Sequence, residues 1–458
     1  MSDSTFDHAL ITRYNQPIPR YTSYPTVPFW KNNIDKNSWS ETFSKQFSLQ
    51  NSNTGISLYI HLPFCESLCT YCGCNKKITT NHSVEDNYID AIEKEWKLYK
   101  ALMAEKPLIR EIHLGGGTPT FFSPENLERL LHIFLDDSHT HPDHAFSIEG
   151  HPNNTTRQHL DTLYSLGFRR ISYGVQDLDP KVQQVINRIQ PASQVRYATE
   201  QARAAGFTSV NFDLIYGLPL QTKQSIENTI REVISLKPER IAFYSYAHVP
   251  WTSKAQRLFD ESDLPSAEEK IQLYLLGKKL LVSAGYYDVG MDHFALPEDE
   301  LYIAKQQGKL HRNFMGYTVQ DTGILLGLGV SSISDTGNAF AQNEKTLHDY
   351  YDNINNGRLA INRGYFLDEE DVVFRNYIKN ISCNGYTRFR PENLPLLREI
   401  CFPLLEQPVK DGLVVYNDEA LELTQKGNYF IRNICSVFDL YLQKNKVTTG
   451  IKTFSKAI

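Results

Sequence analysis

The chain has 458 residues, 41% hydrophobic and 22% charged, the make-up of an ordinary globular protein with room for about two to four domains. Acidic residues outnumber basic ones 53 to 47, and the net charge of -6 excludes a nucleic-acid scaffold while leaving room for a local basic pocket. No basic-then-apolar leader opens the sequence, and its longest apolar stretch, around residues 324–330, is short and interrupted by glycines. Roughly 18 apolar residues are needed to cross a bilayer, so a cytoplasmic protein with no membrane or nucleic-acid partner is expected.

Residues 1–50 read as a polar arm with short helical pieces. It contains Pro19-Arg20-Tyr21-Thr22-Ser23-Tyr24-Pro25-Thr26, too rich in proline and aromatics for a helix. From residue 56 a rhythm begins: β-prone runs at 57–62, 111–114, 145–149, 169–175, 209–215 and 241–247 alternate with helical patterns at 85–104, 124–136, 156–166, 193–205 and 223–236. Ser123-Pro124 supplies a helix start, with proline at the first helical position. Six strands alternating with helices predict an α/β fold with a parallel sheet and right-handed crossovers, either open or curled into a partial barrel. Segments 271–284 and 286–290 extend it. Beyond about residue 360 helical patterns take over, with one hairpin-like stretch at 413–423. The expected division is therefore an arm (1–50), an α/β domain (51–355) and a mainly helical C-terminal domain (356–458).

Seven cysteines, an odd number in a long chain, suit a reducing compartment. Cys383, Cys401 and Cys435 are scattered and read as buried packing residues. The other four fall together in Cys65-Glu66-Ser67-Leu68-Cys69-Thr70-Tyr71-Cys72-Gly73-Cys74, directly after the first strand. Three thiolates spaced C-x3-C-x2-C can bind three irons of a cubane and leave the fourth iron open to a small molecule. Zinc is the main competing metal, but it usually takes four ligands from paired knuckles, and no second knuckle is present. A packing role for three thiols on one loop is the bland alternative.

With an aromatic residue, Tyr71, just before the third cysteine, this motif resembles the signature of the radical S-adenosylmethionine (SAM) superfamily. The resemblance sharpens to the oxygen-independent coproporphyrinogen III dehydrogenase family. It rests on Arg20-Tyr21-Thr22-Ser23-Tyr24-Pro25-Thr26, residues 58–75, Gly115-Gly116-Gly117-Thr118-Pro119-Thr120, Gly174-Val175-Gln176-Asp177, Asp213-Leu214-Ile215-Tyr216-Gly217-Leu218-Pro219, Tyr246-Ala247-His248 and His311-Arg312-Asn313-Phe314. It runs from the arm to Arg432-Asn433-Ile434-Cys435, nearly the whole chain. It implies a partial (β/α)6 radical SAM barrel and a [4Fe-4S] cluster on Cys65, Cys69 and Cys72, whose open iron holds SAM. Reductive cleavage then gives a 5′-deoxyadenosyl radical. The implied reaction turns two propionates of a tetrapyrrole, coproporphyrinogen III, into vinyls in haem biosynthesis. An electron donor such as a flavodoxin or ferredoxin, a monomeric state and two bound SAM molecules go with it.

Carried over residue by residue, the resemblance gives Tyr59, His61 and Glu149 catalytic roles. Gly116, Gly117 and Thr118 would hold the methionine end of SAM, with Tyr59, Glu149 and Ile333 around the first SAM. Tyr71 joins the cofactor-binding set, and Gln176, Arg188, Asp213 and Ala247 surround a second SAM. Read without it, the glycines suit a tight turn as well as a ligand, Glu149 a solvated strand end, Arg188 a solvated charge on a helix and Asp213 a turn cap. Tyr59 and His61 share one strand face by their period of two, with a core histidine as the alternative for His61. Cys74, Gly150-His151-Pro152 after Glu149, and Met315 where some relatives have Gln are the less typical positions. Cys74 and the arm speak against a haem chaperone of the same superfamily; a haem-opening methyltransferase is the other alternative. Arg20 or Arg312 would hold a propionate, because a guanidinium pairs with both carboxylate oxygens.

Overall fold

In a computed structural model describing residues 8–251, 253–445 and 454–457, the alternating segments form β1 (Ile56–Leu62), β2 (Leu108–Gly116), β3 (His139–Gly150), β4 (Phe168–Gln176), β5 (Ser209–Tyr216) and β6 (Arg240–Ser245). They lie side by side in chain order, each parallel to the next. The helices α1 (Val84–Lys100), α2 (Pro124–Leu135), α3 (Arg157–Ser165), α4 (Ala192–Ala205) and α5 (Lys223–Leu236) fall between them in sequence, as the alternation predicts. Ser123 caps α2, accepting the Asn126 N–H at 3.1 Å.

A seventh parallel strand, β7 (Leu325–Leu328), pairs with the outer side of β1. It is the apolar run that length alone ruled out as a membrane span. Short antiparallel strands widen the sheet beyond β7 and beyond β6 to thirteen strands, and it does not close into a barrel. Among the described residues no helix is long and apolar enough to cross a membrane.

Alternation sorts the side chains. Leu58, Ile60, Ile112, Leu114, Ile148, Ile171, Phe212 and Phe243 lie in one large core with the helices, each at most 1% exposed. Each such burial contributes roughly 1.5–3 kcal/mol. The opposite face carries Tyr59, His113, Ser147, Glu149, Ser172, Asn211 and Asp213. Register sets them in rows, with Tyr59 beside His113, His113 beside Ser147, and Glu149 beside Ser172.

Two regions differ from the expected pattern. The second half of the arm is one long helix, Lys36–Thr54, rather than short pieces. Trp39, Phe43 and Phe47, spaced four apart, lie fully buried on one stripe, and that spacing is the signal that drives the helix. Past residue 360, Ile361–Phe366 is a strand of the main sheet, and the 413–423 hairpin (Val414–Tyr416 and Ala420–Leu423) gains Tyr386–Arg388 as a third strand.

The arm does not hang free. Leu10, Tyr14, Ile18, Tyr21 and Tyr24 share a second core with residues of the C-terminal helices, among them Phe374, Leu405 and Ile434. The Ile18 N–H donates to the Ser455 carbonyl at 3.2 Å, and the Ala457 N–H to the Gln16 carbonyl at 2.8 Å. Arg432 completes the strap, donating to the carbonyls of Ile18, Pro19 and Ala457.

Candidate functional site

The cysteine loop leaves β1 and is stitched to the strand ends around it. Gly117 N–H donates to the Leu62 carbonyl at 2.8 Å, Thr118 N–H to Phe64 at 3.0 Å and Lys77 N–H to Pro63 at 2.8 Å. Gln256 Nε2 reaches the Tyr71 carbonyl at 2.8 Å and the Ala247 carbonyl at 3.2 Å, while Ser253 Oγ holds the Cys72 carbonyl at 3.2 Å. Two glycines let this happen. Gly116 has φ +118°, and a Cβ there would lie 2.8 Å from the His61 ring. A Cβ on Gly117 would lie 2.6 Å from the Pro63 carbonyl oxygen, which is backbone and cannot swing away.

Cys65, Cys69 and Cys72 are free thiols on the wall of a cavity of about 400 Å3. The same wall includes Tyr71, Gly116, Gly117, Thr118, Glu149, Gln176, Arg188 and Asp213. Among the described residues no three His, Cys, Asp or Glu side chains converge as a single ion requires. Three thiols spaced along a cavity wall fit a cubane instead, in which each thiolate takes its own iron. The loop does not treat its thiols alike. Cys72 is drawn down to about 6, chiefly by its hydrogen bond with Cys74 and then by Lys76. Burial pushes Cys65 up, against the hydrogen bond from Thr118 Oγ1 at 3.3 Å.

On the other side of Glu149 lies a second cavity of about 270 Å3, lined by Tyr59, His61, Cys74, Gly116, Glu149, Met315 and Ile333 among others. The Tyr59 hydroxyl and His61 Nδ1 are 3.1 Å apart, and His61 Nε2 is 2.9 Å from the Asn75 carbonyl. Burial holds His61 below its ordinary range and therefore neutral near pH 7. Burial raises the Glu149 carboxyl, but His113 (3.4 Å) and the Gly116 N–H (3.2 Å) outweigh it and keep the group below its ordinary value. His113 escaped the sequence reading. It stacks on Tyr59 at 6.0 Å and meets Ser147 at 2.8 Å.

Arg188 is neither on a helix nor solvated. It follows the short helix Pro180–Val185, donates to the Gly174 carbonyl at 3.1 Å and points Nη1 at Cys69 Sγ, 3.5 Å away. Asp213 caps no turn; it sits on β5, held by Ser172 Oγ at 2.9 Å and Asn211 at 2.8 Å, and burial raises it to about 6. Gln176 ends β4 at φ +67°. Ala247 stands apart from both cavity walls and is tied in through its carbonyl alone.

Beneath the second cavity lies a buried network that no motif announces. Glu95 on α1 accepts from Gly329 N–H (2.8 Å), Asn343 (2.6 Å) and Tyr350 (2.7 Å). Tyr88, two turns earlier, donates to the His61 carbonyl at 2.6 Å and accepts from Val330 N–H at 3.0 Å. The network pins the end of β7 to the end of β1.

A cubane-competent cysteine loop at the C-terminal edge of an open parallel sheet, facing glycine-rich and carboxylate-bearing strand ends, defines a radical SAM enzyme. The Radical SAM superfamily model matches residues 59–233. The chain is 39% identical to the oxygen-independent coproporphyrinogen III oxidase of Escherichia coli (strain K12), over 99% of this chain and 98% of that protein. Its identity to the Helicobacter pylori (strain ATCC 700392 / 26695) protein of the same description is 38%, over 99% and 100%. The solved structure of Escherichia coli coproporphyrinogen III oxidase, described as a radical SAM enzyme, superposes with a TM-score of 0.88 at 38% identity, covering 95% of this chain and 99% of that one. The chain belongs to the oxygen-independent coproporphyrinogen III oxidase family.

Proposed function

We infer that the chain oxidatively decarboxylates two propionates of coproporphyrinogen III to vinyl groups without oxygen, giving protoporphyrinogen IX for haem synthesis. The observation that carries this reading is the cavity in which Cys65, Cys69 and Cys72 face Glu149, Arg188 and Asp213, in a chain of this family. The hydrogen β to a propionate carboxylate is scarcely acidic, so no side-chain base removes it. Held by Cys65, Cys69 and Cys72, a reduced [4Fe-4S] cluster with SAM would supply the hydrogen-atom abstraction that no side chain can. For each propionate the substrate would lose one hydrogen atom, CO2 and one electron, the last to an acceptor.

The protein's part is to hold, orient and exclude water. Cys65, Cys69 and Cys72 would ligate the irons. Gly116, Gly117, Thr118, Tyr59, Glu149 and Ile333 would hold one SAM, with Glu149 as the anion for its ammonium group. Gln176, Arg188, Asp213 and Ala247 would hold a second, with Tyr71 also in the cofactor-binding set; all of these but Ala247 line the cluster cavity. His61, neutral and fixed at both ring nitrogens, would keep Tyr59 in register with Glu149. In this reading the enzyme is a cytoplasmic monomer reduced by a flavodoxin or ferredoxin, with a catalytic domain at 51–355 framed by the arm (1–50) and the C-terminal domain (356–458).

The test is anaerobic: reconstitute the cluster, add SAM, reductant and coproporphyrinogen III, and follow products by mass spectrometry. Loss of two CO2 with formation of 5′-deoxyadenosine is expected. SAM cleavage with untouched porphyrinogen would overturn the substrate assignment; tight stoichiometric haem binding would then point to a chaperone, and a methylated linear tetrapyrrole to a methyltransferase.

A further inference from the structure

The imidazole of His113 lies between Tyr59 and Glu149, and the function inferred above gives it no task. On the inner face of the sheet the register sets Tyr59, His113 and Ser147 in one row across β1, β2 and β3. Glu149 is the next residue of β3 on that face. Gly115, the next inner-face position of β2, carries no side chain, and a Cβ there would lie 3.0 Å from both Glu149 Oε1 and the Tyr59 ring. Tyr59 and Glu149 thus close over Gly115 and come together beside His113. The His113 ring stacks on Tyr59 with 18° between their planes, meets Ser147 Oγ through Nδ1 at 2.8 Å and brings Nε2 to 3.4 Å from Glu149 Oε1. The Gly116 N–H donates to the other carboxylate oxygen at 3.2 Å. An ionised carboxylate only accepts, so the ring nitrogen facing it carries a proton. Exposure separates the two roles. Glu149 keeps 43% of its side chain open and His113 only 16%, so a ligand meets the carboxylate and the imidazole stands behind it.

Resting on the reading that SAM is held against Glu149, we propose that His113 is a positioning residue for SAM, acting through Glu149 by aiming its carboxylate at the ammonium group. Among the described residues only His113 and the Gly116 N–H hydrogen-bond that carboxylate, so removing the imidazole leaves a single tether. Held at both oxygens, the group is ordered before SAM arrives, and less freedom is lost on binding. The same bond favours the charged form against the burial that pushes the carboxyl up. Around Glu149 stand also Tyr59 and His61 on β1, Glu111 on β2, Arg170 on β4, Asp213 on β5, and Cys74, Lys76, His151 and Arg188 on the wall of the cluster cavity. These are common to every variant below, so a change in pH response between them belongs to His113.

The test measures SAM binding to the full chain, its cluster reconstituted and oxidised, by equilibrium dialysis from about pH 5.5 to 8. Glutamine places an amide nitrogen where Nε2 stands, whereas asparagine reaches only as far as Nδ1. His113→Asn should therefore weaken SAM about tenfold, and His113→Gln should restore most of that loss. Without its donor the Glu149 carboxyl protonates at higher pH, so His113→Asn should also lose affinity sooner than the unmodified chain as pH falls. Glu149→Gln should weaken SAM too, and adding His113→Asn to it should change little, because the imidazole acts through the carboxylate. Iron content and urea midpoint check folding; His113→Phe, which keeps a ring against Tyr59, takes the place of His113→Asn if that variant does not load iron. Unchanged affinity in the folded variant would overturn the proposal. So would an equal further loss in the double variant, which would mean that His113 touches SAM itself. If Glu149→Gln alone leaves SAM affinity unchanged, the reading of Glu149 fails and the proposal falls with it.

Discussion

At the β1–β7 edge of the sheet the buried acid Glu95 takes three hydrogen bonds and the Tyr88 hydroxyl two, whereas at the β6 edge Arg312 Nε and Nη1 and His293 Nδ1 are buried with none. His293 lines a further cavity that Glu149, Asp213 and Tyr244 also line. A polar group satisfied within the protein is spent on holding shape, and its loss should appear as instability. A polar group left unsatisfied near a cavity is held in reserve, and its loss should appear in binding with little change in stability. The contrast separates support from recognition without reference to which residues are acidic or basic.

The largest expected effect lies where the supported edge meets the cluster loop. Gly117→Ala should abolish iron incorporation and 5′-deoxyadenosine formation, because its Cβ meets backbone oxygens of Pro63 and Phe64 at 2.6 and 2.8 Å. Normal iron content in this variant would break the claim that the loop is rigidly supported. Next comes Glu95→Ala, which strips three donors of their acceptor and should destabilise the chain by about 3 kcal/mol in urea titrations.

Glu95 also carries a pH signature. Burial raises its carboxyl from 4.5 to about 7 despite its three donors. The fold therefore prefers the protonated form, and its contribution is greatest below pH 4.5 and lost as pH rises toward 7, by on the order of 3 kcal/mol. Glu95→Gln, which cannot ionise, should flatten that part of the stability profile; an unaltered slope would assign it to other groups. A smaller effect is expected of Tyr59→Phe. It removes the contact with buried His61 Nδ1 and should slow SAM cleavage about fivefold while lowering stability by about 1 kcal/mol in urea titrations. Smallest is Arg231→Gln, which breaks an exposed pair with Glu227 and should stay within about 0.5 kcal/mol with full activity.

The parallel strands were legible because short β-prone runs alternate with helical patterns, and α2, α3 and α5 start on side-chain caps at Ser123, Thr156 and Thr222. β7 was not, since a four-residue apolar run carries no period. The cysteine loop was legible as chemistry because its spacing has few other uses. Arg188 was misplaced on a helix because Pro180–Val185 ends three residues before it, and propensity does not report so early a stop. Glu95 and His113 were invisible for a different reason. Each looks in sequence like a surface charge or a strand polar residue, and only tertiary register brings Glu95 under Gly329 and His113 between Tyr59 and Glu149.

The hydrogen bonds joining Gln16 and Ile18 to Ala457 and Ser455 also set an order of events during synthesis. The arm is made long before its partners, so the sheet and its cysteine loop can fold while the arm still waits. The strap that seats Arg20 therefore closes only after the residues that hold it, Arg432 and the Ser455 to Ala457 segment, have been made.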